Sequence, residues 1–418
     1  MERAMATHPS RKTFFAGILG NIFEHYDQAL FGLLAPFIAP LFFPEQSPIS
    51  ALMLTYSTMI LGIFTKPLGA LIFGFIGDRY GRKSALYMTL MGMSIVTCLM
   101  GLLPTFSKAG YWAPILLCLC RCLQSFFIAG ESTGGAILVL ENSGEKSRSF
   151  LNSLYNSSTI LGIFIASAVV MMISGYQEVF APFWRIPFFL GSICGLCGVF
   201  LRLYAEESVE APSRATMKVH LKELFAHRRH LLPIVLASGF SYCTYLFSFT
   251  FMNGYLPFVS TLSKRQACKM NTSLLLLDFL LLPVFGYLAG RLSKERVMGI
   301  SALLVAILAI PLFTLLDRGG WGAAFFVRTV IMTLGVGFAA TYHHWAMEQM
   351  PQKVRYTIMA TGAAFGAKLI GLPSNVIGLW LYQKTEWVAA PALYLVVMGS
   401  LATIVVFPML SWRVSKQH

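Results

Sequence analysis

Twelve apolar stretches, each long enough to cross a bilayer, leave this chain few ways to fold. They lie near residues 14–40, 51–77, 84–104, 112–141, 150–174, 183–204, 231–259, 268–290, 297–316, 320–349, 355–381 and 388–412. Crossing the hydrocarbon core takes about 20 apolar residues in a helix. Lipid satisfies no backbone N–H or C=O, so a spanning segment has to satisfy its own. Runs of this length do so as helices. Composition agrees, since 56% of the 418 residues are hydrophobic and only 12% are charged. A soluble domain carries about 25% charged residues. The expectation is an all-α membrane protein with twelve transmembrane helices.

The formal net charge of +14 has a topological origin rather than a nucleic-acid one. Twenty-one Lys and Arg residues fall in the tails and even-numbered loops, and seven in the loops on the other side. The positive-inside rule then places both termini in the cytoplasm. Residues 1–13 are polar and basic, and the apolar run after them is too long for a signal core, so the first span is expected to remain.

One short loop is far more specific than topology requires. Residues 74–83 read Gly74-Phe75-Ile76-Gly77-Asp78-Arg79-Tyr80-Gly81-Arg82-Lys83, between the second and third spans. The longest polar interval, 205–230, divides the spans six and six. The expected organisation is a cytoplasmic tail 1–13, a six-helix bundle 14–204, a cytoplasmic central loop 205–230, a second bundle 231–412 and a tail 413–418. A weak internal repeat supports two pseudo-equivalent halves. Residues 286–296, with Gly286, Gly290, Arg291, Lys294 and Arg296, echo the first motif with Gly290 in place of its aspartate. Pro36, Pro40, Pro67, Pro187, Pro257, Pro283 and Pro373, with Gly362 and Gly366, are candidate sites of kinking or close helix contact.

Ionisable groups within spans are costly and are functional candidates by default. Glu24, Asp27, Glu131 and Asp278 stand against Lys66, Arg121, Arg328 and Lys368, a balance expected of pairing. At 1.5 Å per residue, Asp27 and Lys368 lie roughly 20 Å, and Arg121 roughly 13 Å, from the near end of their helices. All three are near mid-bilayer, where transporters place substrates. Asp27 and Glu24, three residues apart, share a helix face. Burial draws a carboxylate toward its neutral form and a nearby cation toward its charged form, a balance suited to carrying a proton. Asp27, Glu131 and Glu24 are therefore the candidate proton-coupling residues, with Glu24 and Asp278 also compatible with structural pairing. Arg121 and Lys368 are the candidate receptors for a substrate carboxylate, with Gln124 and Tyr26 as further contacts. Arg121 is equally compatible with neutralising Asp27 or Glu131, while Lys66 and Arg328 read as ion-pair partners.

Other chemistry is not indicated. The eight cysteines lie in or beside spans and offer no disulfide framework, and Cys194-x-x-Cys197 lacks companion ligands. His343 and His344 diverge on a helix and have no acid or Cys spaced to join them, so no metal is expected. No Gly-x-Ser-x-Gly elbow, phosphate loop or zinc spacing occurs, so neither an enzyme nor a bound cofactor is expected.

Taken together, these motifs resemble the major facilitator superfamily, and within it the metabolite:proton symporter branch that takes up proline, glycine betaine, 2-oxoglutarate, citrate or shikimate. The 74–83 loop is similar to the superfamily signature. Gly20-Asn21-Ile22-Phe23-Glu24-His25-Tyr26-Asp27 is similar to the branch's Gly-Asn-x-x-Glu-Trp-Tyr-Asp opening, with His25 in place of Trp. Lys66-Pro67-Leu68-Gly69, Arg121-x-x-Gln124 with Gly130-Glu131, Trp184-Arg185-Ile186-Pro187-Phe188 and Pro351-x-x-Val354-Arg355-Tyr356-Thr357 extend the likeness along the chain.

The resemblance implies the major facilitator fold and a symporter that imports a small organic acid or zwitterionic osmolyte by alternating access, driven by the proton gradient. It implies proton coupling by Asp27 and Glu131, with Arg121 near substrate. Gly74, Asp78, Arg79, Gly81, Arg82 and Lys83 would form a cytoplasmic gate. The expected setting is a monomer in the cell inner membrane, whose partners are substrate, protons and lipid. A proton-antiporting efflux pump is the nearest alternative, and a non-transporting sensor a more distant one.

Overall fold

The computed structural model describes residues 11–80, 82–141, 148–176, 181–203, 228–317, 319–348 and 355–407. Within these, the side chains of residues 11–17, 130–141, 148–156, 201–203, 228–230, 289–290, 343–344, 347–348 and 355–358 and of Gly74, Gly77, Asp78, Arg82, Lys83, Pro283 and Ala360 fall outside the description. The chain divides into two compact units, Met1–Ser213 and Arg214–His418. Every regular element among the described residues is helical.

The first unit contains α1 (Arg11–Phe42), α2 (Pro48–Ile60), α3 (Gly62–Tyr80), α4 (Arg82–Leu102), the short α5 (Phe106–Ala109), α6 (Trp112–Glu141), α7 (Arg148–Ile173) and α8 (Ile186–Leu203). The second contains α9 (Arg228–Leu246), α10 (Met252–Val259), α11 (Lys264–Leu292), α12 (Lys294–Thr314), α13 (Trp321–Glu348), α14 (Arg355–Phe365), α15 (Pro373–Thr385) and α16 (Ala392–Val406). Two π-helical turns, Phe247–Phe251 and Gly366–Gly371, join α9 to α10 and α14 to α15.

Among the described residues, ten helices are long and apolar enough to cross a membrane by length and composition. The chain is a multi-pass membrane protein. The other two expected spans are also helical. α1 has 32 residues but carries Glu24, His25 and Asp27, which lower its hydropathy. α16 is described over only 15 apolar residues. The helices present continuous apolar stripes outward, as Met88, Ile95, Leu99 and Leu102 do on α4 and Ile300, Leu303 and Ile307 on α12. Such faces would be a liability in water and suit contact with acyl chains.

Some boundaries differ from the sequence expectation. The run expected over 51–77 divides into α2 and α3 with Leu61 between them, itself in helical conformation, and Pro48–Phe73 remains one span by length and composition. The charged residues of the 74–83 motif belong largely to helix ends, since α3 continues to Tyr80 and α4 begins at Arg82. The echo at 286–296 is equally tight. α11 ends at Leu292, and Ser293, at φ 81°, caps α12 through its side chain. Pro36, Pro40 and Pro67 lie inside continuous helices. Of the two π turns, the one starting at Gly366 falls on a flagged glycine, whereas Phe247–Phe251 carries neither Gly nor Pro. All eight cysteines are free thiols.

In the first unit α1 is central, packing against α7 and α8 and touching α2, α4 and α6. Leu30, Phe31, Leu34 and Ala35 on it are fully buried. The α1–α7 approach depends on Gly162, where an added Cβ would sit 2.3 Å from the Ile22 carbonyl oxygen. In the second unit α12 packs on α13 and α16, and α9 on α14, the Gly366–Gly371 turn and α16. Phe247, Phe251 and Tyr255 stack at centroid distances of 4.6 and 4.8 Å down the middle of this unit.

Because the atom facing Gly162 is backbone, no rotamer change relieves the clash. Gly162→Ala is expected to destabilise the protein by about 1–3 kcal/mol, read as a lower midpoint of thermal unfolding in detergent.

Candidate functional site

A chain of polar side chains runs through the apolar middle of the first unit. Asp27, halfway along α1, is 4% exposed. Its Oδ1 accepts a hydrogen bond from the Thr97 hydroxyl on α4 at 2.6 Å. Its Oδ2 accepts from Nε2 of Gln124 on α6. The Gln124 Oε1 in turn accepts from Nη1 of Arg121, one turn earlier on the same helix. Arg121, 6% exposed, also lies over the Phe31 ring at 4.3 Å from its centroid. The arginine and the aspartate are thus linked through an amide rather than by the direct salt bridge their charges suggest.

Arg121 is not saturated. Its buried Nε has no hydrogen-bond partner. A buried unpaired donor on a cation is expensive, and such a group is one a ligand can satisfy. Guanidinium N–H groups match the two oxygens of a carboxylate. The site can therefore take an anion at Arg121 while Asp27 stands two bonds away through Gln124.

Other polar groups frame this chain. Glu24, fully buried, accepts from Gln28 Nε2 at 2.7 Å and lies within electrostatic reach of Lys66 on α3. Asn21 donates to Ser158 at 2.7 Å and Thr159 at 3.0 Å, tying α1 to α7. Tyr26 is buried with its hydroxyl on the Pro187 carbonyl at 2.9 Å, tying α1 to α8. His25 is half-buried, with Nδ1 2.9 Å from the Asn21 carbonyl oxygen. Glu131 lies on α6 ten residues beyond Arg121, and its side chain is outside the description.

The second unit treats its buried cation differently. Arg328 on α13 is fully buried and bonded on every side. Nε and Nη2 donate to the Ser248 carbonyl at 3.0 and 2.8 Å. Nη1 reaches Asn253 Oδ1 at 3.3 Å and the Ala267 carbonyl at 3.2 Å. Nη2 also donates to Asn271 Oδ1. Its acceptors are carbonyls and amides, not a carboxylate, which corrects its reading as an ion-pair partner. Ser248 lies in the π turn Phe247–Phe251, and such a bulge releases carbonyls from the regular i→i−4 ladder. Arg328 was visible in the sequence as a costly span residue, but its acceptors Asn253, Asn271 and the Ser248 and Ala267 carbonyls were not.

Asp278 is buried at the centre of α11 beside Tyr245 on α9. Lys368 is half-buried on the π turn Gly366–Gly371. Of the 74–83 motif, Arg79 is described; it is exposed and lies over Phe75 and Tyr80 at 5.9 and 5.6 Å. Asp78, Gly74, Gly81, Arg82 and Lys83 fall outside the side-chain description. Thr97 is the member of the site that sequence reading missed. A lone threonine in an apolar span carries no signal until α4 is laid against α1.

A buried carboxylate, an amide and an arginine with an open donor thus share the helical interior of the first unit. The chain belongs to the Major Facilitator Superfamily, whose description matches residues 17–372. It is 29% identical to the proline/betaine transporter of Salmonella typhimurium, over 94% of this chain and 82% of that one. A glycine betaine/proline/ectoine/pipecolic acid transporter of Dickeya dadantii is also 29% identical, over 93% and 81%. Among solved structures, a D-xylose-proton symporter has the same fold, with TM-score 0.75, 16% identity and coverage of 95% of this chain and 97% of that one.

Arg328 provides a test of the second unit's architecture. Arg328→Met leaves two carbonyls and two amide oxygens without their donor, at about 1–3 kcal/mol for each group left unsatisfied. Thermal unfolding in detergent is expected to show a large destabilisation. Arg328→Lys is expected to recover only part of it, because one ammonium cannot reproduce the fork.

Proposed function

We propose that the protein is a proton-coupled symporter that imports a small carboxylate-bearing solute of the proline or betaine type by alternating access. The observation that carries this is the Asp27–Gln124–Arg121 chain with an open donor on Arg121. One end takes a carboxylate and the other takes a proton, in one buried polar chain. The relatives named as proline, betaine or ectoine transporters support the substrate class.

In this reading Asp27 carries the coupled proton and Arg121 binds the substrate carboxylate. Phe31 holds the guanidinium plane by cation–π attraction. Glu131 is a second candidate for the proton, and Glu24 balances Lys66. Lys368 is a further anion receptor from the second unit. Tyr26, with its hydroxyl on Pro187, contributes by holding α1 against α8. The 74–83 motif acts as the cytoplasmic gate. Both termini face the cytoplasm, the inner membrane is the site of action and a monomer suffices.

Vesicles with an imposed proton gradient and labelled proline or glycine betaine test the reading. Asp27→Asn is expected to abolish gradient-driven accumulation while retaining counterflow exchange. Full accumulation by this variant would show that Asp27 is not the coupling acid. Arg121→Gln is expected to weaken substrate affinity by about 10–150-fold, the worth of a hydrogen bond to a charged group. Dissipating the gradient should stop accumulation; a rise in accumulation would identify an exporter instead.

A further inference from the structure

The polar chain in the first unit has a direction. A primary amide offers one acceptor oxygen and one NH2 donor. Arg121 has only donors, so Gln124 must turn Oε1 toward it, and Nε2 is left facing Asp27. Asp27 Oδ2 must then accept. A proton placed on Oδ2 would set donor against donor, and flipping the amide to receive it would set NH2 against the guanidinium. The Thr97 side has no such restriction. A hydroxyl both donates and accepts and rotates freely. With a proton on Oδ1, Thr97 can accept it and turn its own hydrogen to a carbonyl one turn back on α4.

We infer that Gln124 is the positioning residue that couples the substrate site to the proton site, its locked amide transmitting the state of Asp27 to Arg121, with the proton entering on Oδ1 opposite Thr97. The inference rests on the symport reading above and assigns the coupling to one side chain.

The physics is a competition for Arg121. With Asp27 charged, its bond from Nε2 is charge-assisted, about twice as strong as a neutral one. The amide is polarised from both ends, which strengthens its hold on Nη1. The carboxylate also opposes a second anion nearby. Once Oδ1 takes a proton, the charge assistance and the repulsion both disappear. The arginine is then freer to bind a substrate carboxylate through its open Nε. Proton and substrate favour each other's binding, and the effect is reciprocal.

Few other charges intrude on this pair. α6 contributes Arg121 itself with Cys122 beside it, and the Glu131 side chain lies outside the description. α4 faces Asp27 with Thr97, and α2 and the described side chains of α7 bring no acid or base. α8 brings Cys194, near Tyr26. Lys108 on α5 is exposed, and Arg185, which precedes α8, is spent on the Gly101 and Leu103 carbonyls. On α1, Glu24 is one turn away and within electrostatic reach of Lys66, and the titratable His25 and Tyr26 immediately precede Asp27.

The test is equilibrium binding of labelled proline to the purified full-length protein, with glycine betaine as a second probe, across the acidic to neutral range. The wild type is expected to bind more tightly as pH falls, by about 5–150-fold in total. Gln124→Met, similar in length but without the amide, is expected to lose most of that dependence and keep only the part due to through-space repulsion by the Asp27 carboxylate. Gln124→Asn, too short to span both partners, should do the same and guards against a folding defect in the first variant. Thr97→Val removes the donor that favours the charged form, so the midpoint should move to higher pH, and Thr97→Ser should restore it. Wild-type pH dependence in both Gln124 variants, or an unmoved midpoint in Thr97→Val, overturns the inference. The symport reading has its own control. If Asp27→Asn keeps the wild-type pH dependence, Asp27 is not the proton site and that reading fails with the relay; if Asp27→Asn is flat while both Gln124 variants keep the wild-type dependence, only the relay fails.

Discussion

A charge inside a bilayer has to be satisfied by the protein that carries it, and two buried arginines meet that demand in opposite ways. Arg328 is surrounded by the Ser248 and Ala267 carbonyls and the Asn253 and Asn271 amides. Nothing is left for a ligand, and the residue works as a staple joining α13, α11 and the Phe247–Phe251 turn. Arg121 has a single amide partner, a stacked Phe31 and a buried Nε with no partner. The same chemical group is closed in one unit and keeps an open donor in the other.

The amide between Arg121 and Asp27 matters because it prevents a direct salt bridge. A directly paired arginine and aspartate would each be neutralised. With Gln124 interposed, the charges still sense one another, but the open edge of the guanidinium stays available. The surrounding ties keep this geometry in place. Tyr26 on Pro187 and Asn21 on Ser158 and Thr159 fasten α1 to α8 and α7. Gly162 lets α7 approach the α1 backbone closely enough for those bonds to form.

Much of the fold was legible in the sequence because hydrophobic length is a local property. The apolar runs appear as helices. The exceptions arise where local signals compete. Leu61 separates α2 from α3 within one apolar span, and prolines 36, 40 and 67 sit within continuous helices, as membrane helices allow when neighbours satisfy the freed carbonyls. The π turn at Phe247–Phe251 has no glycine or proline to announce it. Its reason lies in Arg328, eighty residues away, which takes up the Ser248 carbonyl.

By itself the sequence determined that this is a helical membrane protein, which family it resembles and which ionisable residues are too costly to be incidental. Those are consequences of composition, run length and motif, each readable along one dimension. Pairing was not readable in that way. Equal numbers of acids and bases suggested direct salt bridges, yet Arg328 is neutralised by no acid and Asp27 meets Arg121 only through Gln124. Which partner a buried charge finds depends on what neighbouring helices present at the same depth and angle. Thr97 reaches Asp27 from a helix seventy residues on, and only the packing of α4 and α6 against α1 decides that.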